Sequence, residues 1–362
     1  MVIGIEAAHA NQAERTGVEE YCFQIIEALK KVIPSDVKVT LYANSPLRED
    51  MMALPANWSV KILHWPFSKS WTQLRLSWHF LFHKPDIFFS PGQILPIICP
   101  EKTITMVHDS AFMAYPRAYG FLSRLYLRAM NRRIIKKSST IITSTEFNKN
   151  ELMKFYGTRV GKKVIVVPLG FNTVQPPPKF DQKKFGINKP YILSVGRLET
   201  KKNTKYLIQA FCVMKQSVDI QLVLVGRPGV GYGPIARQIK QCPYVEDIVR
   251  LGYIDRPDLS GLFKNAIAFV FPSIYEGFGF PLLEALSLGT PAIAADIEAL
   301  REVGGSSCVY VDPFDIKLLS DTILELVKNS GNQIKFSHEG RERAAQYSWE
   351  KAANQTWEVI AS

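Results

Sequence analysis

Along this chain, short apolar runs rich in β-branched and aromatic residues alternate with longer stretches of helical period. Residues 2–6, 37–43, 58–63, 86–90, 103–107, 139–145 and 164–168 read as strands, and so do 191–195, 221–226, 249–253, 268–272, 291–295 and 308–311. Between the first two lies a helix with its apolar face on Val18, Tyr21, Cys22, Ile25, Ile26 and Leu29. Glu19 and Glu20 stand in its first turn and Lys30 and Lys31 in its last, as the helix dipole favours. Residues 68–84 predict an aromatic, basic helix. Residues 123–137 predict another, with Arg124, Arg128, Arg132, Arg133, Lys136 and Lys137 on it and Leu125, Ala129 and Ile135 roughly opposite. A last helix covers 347–360. Strand and helix in regular alternation is the pattern of βαβ units.

The chain is organised around residues 269–295, FVFPSIYEGFGFPLLEALSLGTPAIAA. An apolar strand ends and two glycines, Gly277 and Gly279, break the pattern. Pro281 suits the first helical position, where a missing N–H removes nothing. Leu282, Leu283, Leu286 and Leu288 carry a short helix that Gly289 ends, and the next strand follows Pro291. A helix N-terminus at the carboxyl end of a parallel strand is a ready anion site. The glycines leave the backbone N–H groups of Gly277, Phe278, Gly279 and Phe280 room to reach a phosphate or a sugar hydroxyl. Glu276 and Glu284 flank this turn, with Glu284 in the first helical turn. A carboxylate beside a phosphate would repel it, so neutral hydroxyls are the expected partners of both.

Two further strand ends carry candidate chemistry. Arg197 follows the strand 191–195 and Gly196, and Lys202 stands five residues on, before a helix; a planar fork and a point charge together suit a diphosphate. His108 ends the strand 103–107 and therefore sits at a crevice rim. Tyr253 closes the strand 249–253 and so stands at another strand end. RPGVGYG at 227–233 imitates a dinucleotide fingerprint with the wrong glycine spacing, so a nicotinamide role is rejected.

Composition narrows the reading. A length of 362 residues suits two domains, expected at 1–171 and 172–345 with a terminal helix 346–362 packing back on the first; the stiff linker FNTVQPPPK at 171–179 separates them. The five cysteines show no metal spacing and read as small core residues of a reduced, cytoplasmic protein. The N-terminus lacks the pattern of a signal peptide, and no apolar run is long enough to span a bilayer. Net charge is +11, of which residues 1–171 hold +9 through 22 Lys and Arg against 13 Asp and Glu. No nucleic-acid-binding motif accompanies this charge, so nucleic acid is not an expected partner. An anionic membrane surface is, with the protein peripheral on the inner face of the plasma membrane and Trp71, Trp78 and Phe82 beside Arg75 and Lys84 as the docking residues.

EGFGFPLLEAL, between an apolar strand and a Gly-Thr-Pro turn, resembles the donor-site signature of retaining glycosyltransferases of family four, which have the GT-B fold. TGVEEY at 16–21, VHD at 107–109 followed by Tyr115-Pro116, IITSTEFNKNEL and GRLETKKN are similar to the same family, with Asn203 where many members have Gly. The resemblance covers nearly the whole chain. It implies an α/β protein of two Rossmann-like domains facing a cleft, the second holding a nucleotide-sugar donor and the first a glycan or lipid-linked acceptor. It implies that Gly17 lies under the donor diphosphate, that His108 reaches the transferred sugar, and that Glu276 and Glu284 hold sugar and ribose hydroxyls. Gly196, Tyr253 and residues 277–280 would complete the donor site. No Asp-x-Asp pair is present, so no metal and no cofactor is expected. GRLETKKN is most similar to bacterial mannosyltransferases, which favours GDP-mannose over UDP-sugars as donor. The competing readings are a non-catalytic sugar-nucleotide-binding protein and a nucleotide-sugar epimerase or hydrolase on the same fold.

Overall fold

The computed structural model describes every residue except Thr16, Ser68 and Lys69, and for Arg117 the backbone alone. The chain forms two compact units, 1–170 with 347–362, and 171–346. In the first, strands β1 (Val2–Glu6), β2 (Lys38–Ala43), β3 (Trp58–Ile62), β4 (Ile87–Ser90), β5 (Lys102–Val107), β6 (Thr140–Thr143) and β7 (Val164–Val166) make one sheet. Its order is β3-β2-β1-β4-β5-β6-β7, and every pairing is parallel. In the second, β8 (Tyr191–Val195), β9 (Gln221–Val225), β10 (Ile248–Leu251), β11 (Ala268–Phe271), β12 (Ala292–Ala295) and β13 (Cys308–Val311) make another. Its order is β10-β9-β8-β11-β12-β13, again all parallel. Both are doubly wound sheets, and the direction of winding reverses between β1 and β4 and between β8 and β11. Loops leaving the carboxyl ends of those strands therefore diverge and open a crevice.

The apolar runs explain the strands. A parallel strand is covered on both faces, so it reads as a continuous hydrophobic run; Ile3, Ile5, Phe88, Phe89, Phe269 and Phe271 are all buried. In the first unit the helices are α1 (Gly17–Val32), α2 (Ser77–Phe82), α3 (Ala111–Ala114), α4 (Phe121–Lys137) and α5 (Glu146–Tyr156). The second has α6 (Thr204–Met214), α7 (Tyr232–Gln241), α8 (Arg256–Asn265), α9 (Phe280–Leu288), α10 (Glu298–Gly304), α11 (Ile316–Lys328) and α12 (Ser330–Ala344). The last helix, α13 (Trp349–Ala361), belongs to the first unit, where the ring of Trp349 lies 6.0 Å from that of Tyr21 on α1.

Several local expectations are corrected. Cys212 and Cys242 are joined by a disulfide across 30 residues, so the five cysteines are not all unpaired core thiols. The expected 68–84 helix begins outside the described residues; what is described is a π-helical turn, Trp71–Leu76, running into α2. Trp71, expected on the surface, is buried, and its indole N–H donates to the Leu63 carbonyl at 2.7 Å. On α4 the expected inner face is wrong, because Asn131 and Ile134 are buried while Leu125 and Ala129 are exposed. α9 begins at Phe280, so Pro281 takes its second position and Glu284 falls in the second turn rather than the first.

Candidate active site

The second unit brings Lys202 and Glu276 together at the β8/β11 crossing point. Gly196 follows β8 and its N–H donates to the Val225 carbonyl at 2.9 Å, and Gly226 after β9 donates likewise to Leu251 at 2.9 Å. Beyond them the loop after β8 pairs with the loop after β9: Leu198 N–H donates to Arg227 at 3.0 Å and Gly229 N–H to Leu198 at 2.9 Å. Arg197 leaves this laced pair exposed to solvent. The chain then makes a tight turn, 200–202, and enters α6 through Asn203 in the left-handed conformation at φ 56°. Asn is one of the few residues with a side chain that visits this region readily. Its own side-chain amide donates to the Pro313 carbonyl at 2.6 Å, which holds the turn from below.

That turn presents Lys202 to the loop after β11. Lys202 Nζ and a carboxylate oxygen of Glu276 form a short, mostly enclosed ion pair, with 18% and 11% of the two side chains exposed. The Lys202 ammonium also lies 5.1 Å from the centre of the Phe271 ring, a cation–π distance. One residue away, Ile274 N–H donates to the Lys201 carbonyl at 2.9 Å, so backbone and side chain both tie the two loops together.

From Glu276 the chain passes Gly277 and the buried Phe278 to Gly279, which caps α9 at φ 101°. A side chain there would be strained and would meet Leu300 at 2.7 Å, so glycine is required twice over. Phe278 and Phe280 meet edge to face at 5.4 Å across it. Glu284, one turn into α9, is largely enclosed. Burial pushes its carboxyl up to about 7, against the opposing pull of Arg256 at the start of α8. Tyr253 is 71% exposed and lies under the Arg227 guanidinium at 5.4 Å. Sequence reasoning passed over Arg227 and Arg256; each is the first or second residue after a strand or cap, a signal that only the neighbouring ring or carboxylate makes readable.

The first unit has a second cluster, at its own β1/β4 crossing point. His108, after β5, donates through Nε2 to the Pro91 carbonyl at 2.8 Å. A carbonyl only accepts, so Nε2 carries the proton and Nδ1 keeps its lone pair. Burial pushes this imidazole down to about 4, so it is neutral at pH 7. Its ring stands edge-on to Tyr21 at 4.9 Å, and its backbone N–H donates to the Gln93 side chain at 2.8 Å. Across the same turn stands His9, which the sequence reading did not single out. Its Nδ1 lies 2.9 Å from the fully buried Glu6 carboxylate, whose charge raises the imidazole to about 9. A Cβ at Gly92 would come within 2.8 Å of the His9 ring. The Pro91–Gly92–Gln93 turn is thus held between a cationic and a neutral histidine. The sequence signal was there: a carboxylate as the last residue of an apolar strand, with a His three residues on.

Gly17 opens α1, and a Cβ on it would meet nothing within 4 Å, so sterics give no reason for glycine there. Thr16, the first residue of its motif, lies outside the described residues. Among the described residues no group of three His, Cys, Asp or Glu could hold a metal ion.

The chain matches the Glycosyltransferase Family 4 model over residues 15–175 and the Glycosyl transferases group 1 model over residues 178–346. O-antigen chain mannosyltransferase B of Escherichia coli is 26% identical over 304 residues, 82% of this chain and 77% of that protein. O-antigen chain mannosyltransferase RfbU of Salmonella typhimurium is 26% identical over 313 residues, 83% and 84% of the two chains. The solved structure of HepE from Anabaena in complex with UDP-glucose is similar in fold, with a TM-score of 0.74 at 16% identity over 100% of this chain and 99% of that one. With two parallel, doubly wound sheets of this kind and the two models matched in succession almost without a gap, the chain is a glycosyltransferase and belongs to the group 1, family four enzymes.

Proposed function

We propose that this enzyme moves a hexosyl group, mannose in the first instance, from a nucleoside-diphosphate sugar to a glycan or lipid-linked acceptor, with retention of configuration. The observation that carries the reading is the Lys202–Glu276 pair at the β8/β11 crossing point, where one loop brings a cation and the other a carboxylate to a shared edge. In this reading the second unit takes the donor. Lys202 and Arg197 meet the diphosphate and stabilise the charge that develops as it leaves. They supply the positive charge that a divalent cation would otherwise bring, so the reaction runs without metal or cofactor. The amides of residues 277–280 and of Gly196 add donors. Glu276 accepts from hydroxyls of the transferred sugar. Glu284 takes the ribose hydroxyls, either as acceptor or, when protonated, as donor, and Tyr253 stacks on the base. The first unit takes the acceptor, and His108 accepts a sugar hydroxyl through Nδ1.

Mannose is supported by the two O-antigen mannosyltransferases, and a nucleotide-sugar donor by the UDP-glucose complex of HepE. The test is a thermal-shift screen of the full chain with GDP-mannose, GDP, UDP-glucose and UDP, followed by anomeric analysis of the product. A ligand that binds only the folded state raises the apparent melting temperature by mass action. A shift with GDP-mannose and its product as the α-anomer supports the reading. No shift with any of the four at millimolar concentration overturns it, and cleavage of the donor with no transfer turns it into a hydrolase.

A further inference from the structure

Two helical segments of the first unit carry exposed apolar side chains along one face. In the π-helical turn and α2, Leu74, Trp78, Leu81 and Phe82 point outward at helical spacing, with Trp78 64% and Phe82 71% exposed. Trp71, Leu76 and Phe80 fill the opposite side and are buried. On α4 the residues that expose apolar surface are Phe121, Leu122, Leu125 and Tyr126, Phe121 at 69% and Leu122 at 78%. The two faces adjoin. Gln73 donates through its side-chain amide to the Tyr126 hydroxyl at 2.7 Å, and the Ile97 N–H donates to Ser77 Oγ at 2.6 Å, so the exposed Ile97 rides between them. Single exposed apolar residues need no explanation, but a contiguous set this large marks an interaction surface.

Within these two segments the charge is all of one sign. Neither residues 71–84 nor α4 contain an Asp or Glu. The Arg124 guanidinium lies 5.8 Å from the centre of the Phe121 ring, and Arg132, Lys136 and Lys137 are exposed further along α4. Lys84 is exposed at the end of the other segment. Arg133 is excluded from this set, because its guanidinium holds the carbonyls of Pro96 and Ile97. A second copy docking through the same face would set these cations against their own kind. An anionic surface would meet them with complementary charge, and the aromatic and aliphatic side chains suit the boundary between headgroups and acyl chains. Among the described residues no helix is long and apolar enough to cross a membrane.

We propose that this face docks the enzyme on an anionic lipid bilayer: Trp78, Phe82, Phe121 and Leu122 enter the headgroup layer while Arg132, Lys136, Lys137 and Lys84 meet lipid phosphates. The proposal concerns where the enzyme works and does not rest on the identity of the donor. It is tested by co-sedimentation of the full chain with phosphatidylglycerol-containing and with pure phosphatidylcholine vesicles. The protein pellets with the anionic vesicles at low salt and is released near ~1 M salt, where screening acts within about 3 Å. Arg132→Gln/Lys136→Gln/Lys137→Gln loses roughly fivefold in partitioning per cation removed. Trp78→Ser/Phe82→Ser and Phe121→Ser/Leu122→Ser, all at exposed positions, keep the parent melting temperature in buffer and lose binding. Equal recovery in the supernatant with both vesicle types overturns the proposal, and so does binding that all three variants retain. Concentration-dependent self-association in the ultracentrifuge, abolished by Phe121→Ser/Leu122→Ser and unaccompanied by vesicle binding, also overturns it and gives the face to a second copy.

Discussion

Lys202 and Glu276 stand 74 residues apart in the chain and form an ion pair between the loops after β8 and β11. Each was expected to meet a different part of the substrate, the cation a diphosphate and the carboxylate a sugar hydroxyl. Held together and mostly enclosed, they set each other's position. In the proposed reading, a diphosphate reaching Lys202 would compete with Glu276 for it and leave the carboxylate to a sugar hydroxyl.

Removing one partner leaves the other charge mostly enclosed and without its counter-ion. Lys202→Ala is therefore expected to lower both stability and affinity, weakening nucleoside-diphosphate binding by about 1.5–3 kcal/mol. The double variant Lys202→Ala/Glu276→Ala melts closer to the parent than the two single effects added together, since residues in contact are not additive. Arg197→Ala, at an exposed position, loses affinity with little change in melting temperature. Calorimetry showing parent affinity in both Lys202→Ala and Arg197→Ala removes them from the phosphate site.

Glu284 makes stability depend on pH with the opposite sign to an ordinary paired carboxylate. Its folded carboxyl titrates near 7, above the unfolded value of 4.5. Between those two values the folded state binds the extra proton, so stability falls as pH rises from about 4.5 to about 7 and stays lower above that. Glu284→Gln removes this slope and is expected to be the more stable protein at pH 8, by up to a few kcal/mol. Parallel stability–pH profiles for parent and variant would show that the carboxyl is solvated.

His9 and His108 are expected to titrate on opposite sides of neutrality. His9 is raised to about 9, so its stabilising charge is complete below the unfolded value of 6.5 and is lost as pH rises through 9. His108 is lowered to about 4, so its contribution is present above 6.5 and lost as pH falls through 4. Imidazole proton NMR would follow both. In Glu6→Gln the His9 resonance moves its midpoint back toward 6.5 while that of His108 stays low. A single midpoint near 6.5 for both in the parent refutes the arrangement.

For His108 itself, turnover is expected to suffer more than donor binding. His108→Ala loses the Nδ1 acceptor and the Pro91 bond together. His108→Gln can keep a donor to Pro91 and an acceptor beside it, and so is expected to recover part of the rate. Parent turnover in His108→Ala would assign the ring a packing role against Tyr21 and nothing more.

Excess chelator is expected to leave the transfer rate unchanged if, as proposed, Arg197 and Lys202 supply the positive charge at the diphosphate. Loss of activity in chelator, with recovery on adding magnesium or manganese, would place a metal in the reaction.

The sequence by itself determined the two sheets and the loops that matter. Parallel strands such as Val2–Glu6 and Ala268–Phe271 are covered on both faces, so their burial is written as uninterrupted apolar runs. Gly279 and Gly289 mark the ends of α9 through left-handed backbone conformations that few residues adopt, and Pro281 suits its first turn, which is why this glycine turn was legible without coordinates. Local chemistry of that kind depends on neighbours in the chain.

What depends on neighbours across the fold was decided only by the tertiary structure. Strand order brings Lys202 to Glu276 and seats the Pro91–Gln93 turn between His9 and His108, and order is not encoded in any single segment. The same holds for Cys212 and Cys242, whose pairing follows from where α6 and the end of α7 come to rest. Periodicity shows which residues of a helix share a face, not whether another element covers it. Trp71 is buried with its indole N–H on the Leu63 carbonyl, whereas Leu122 and Leu125 are exposed because α4 packs its Asn131 and Ile134 side inward and no described residue covers the other. The charge states of His9, His108 and Glu284 are of this kind too, since the dielectric around a titrating group belongs to its packed surroundings and not to its own residue type.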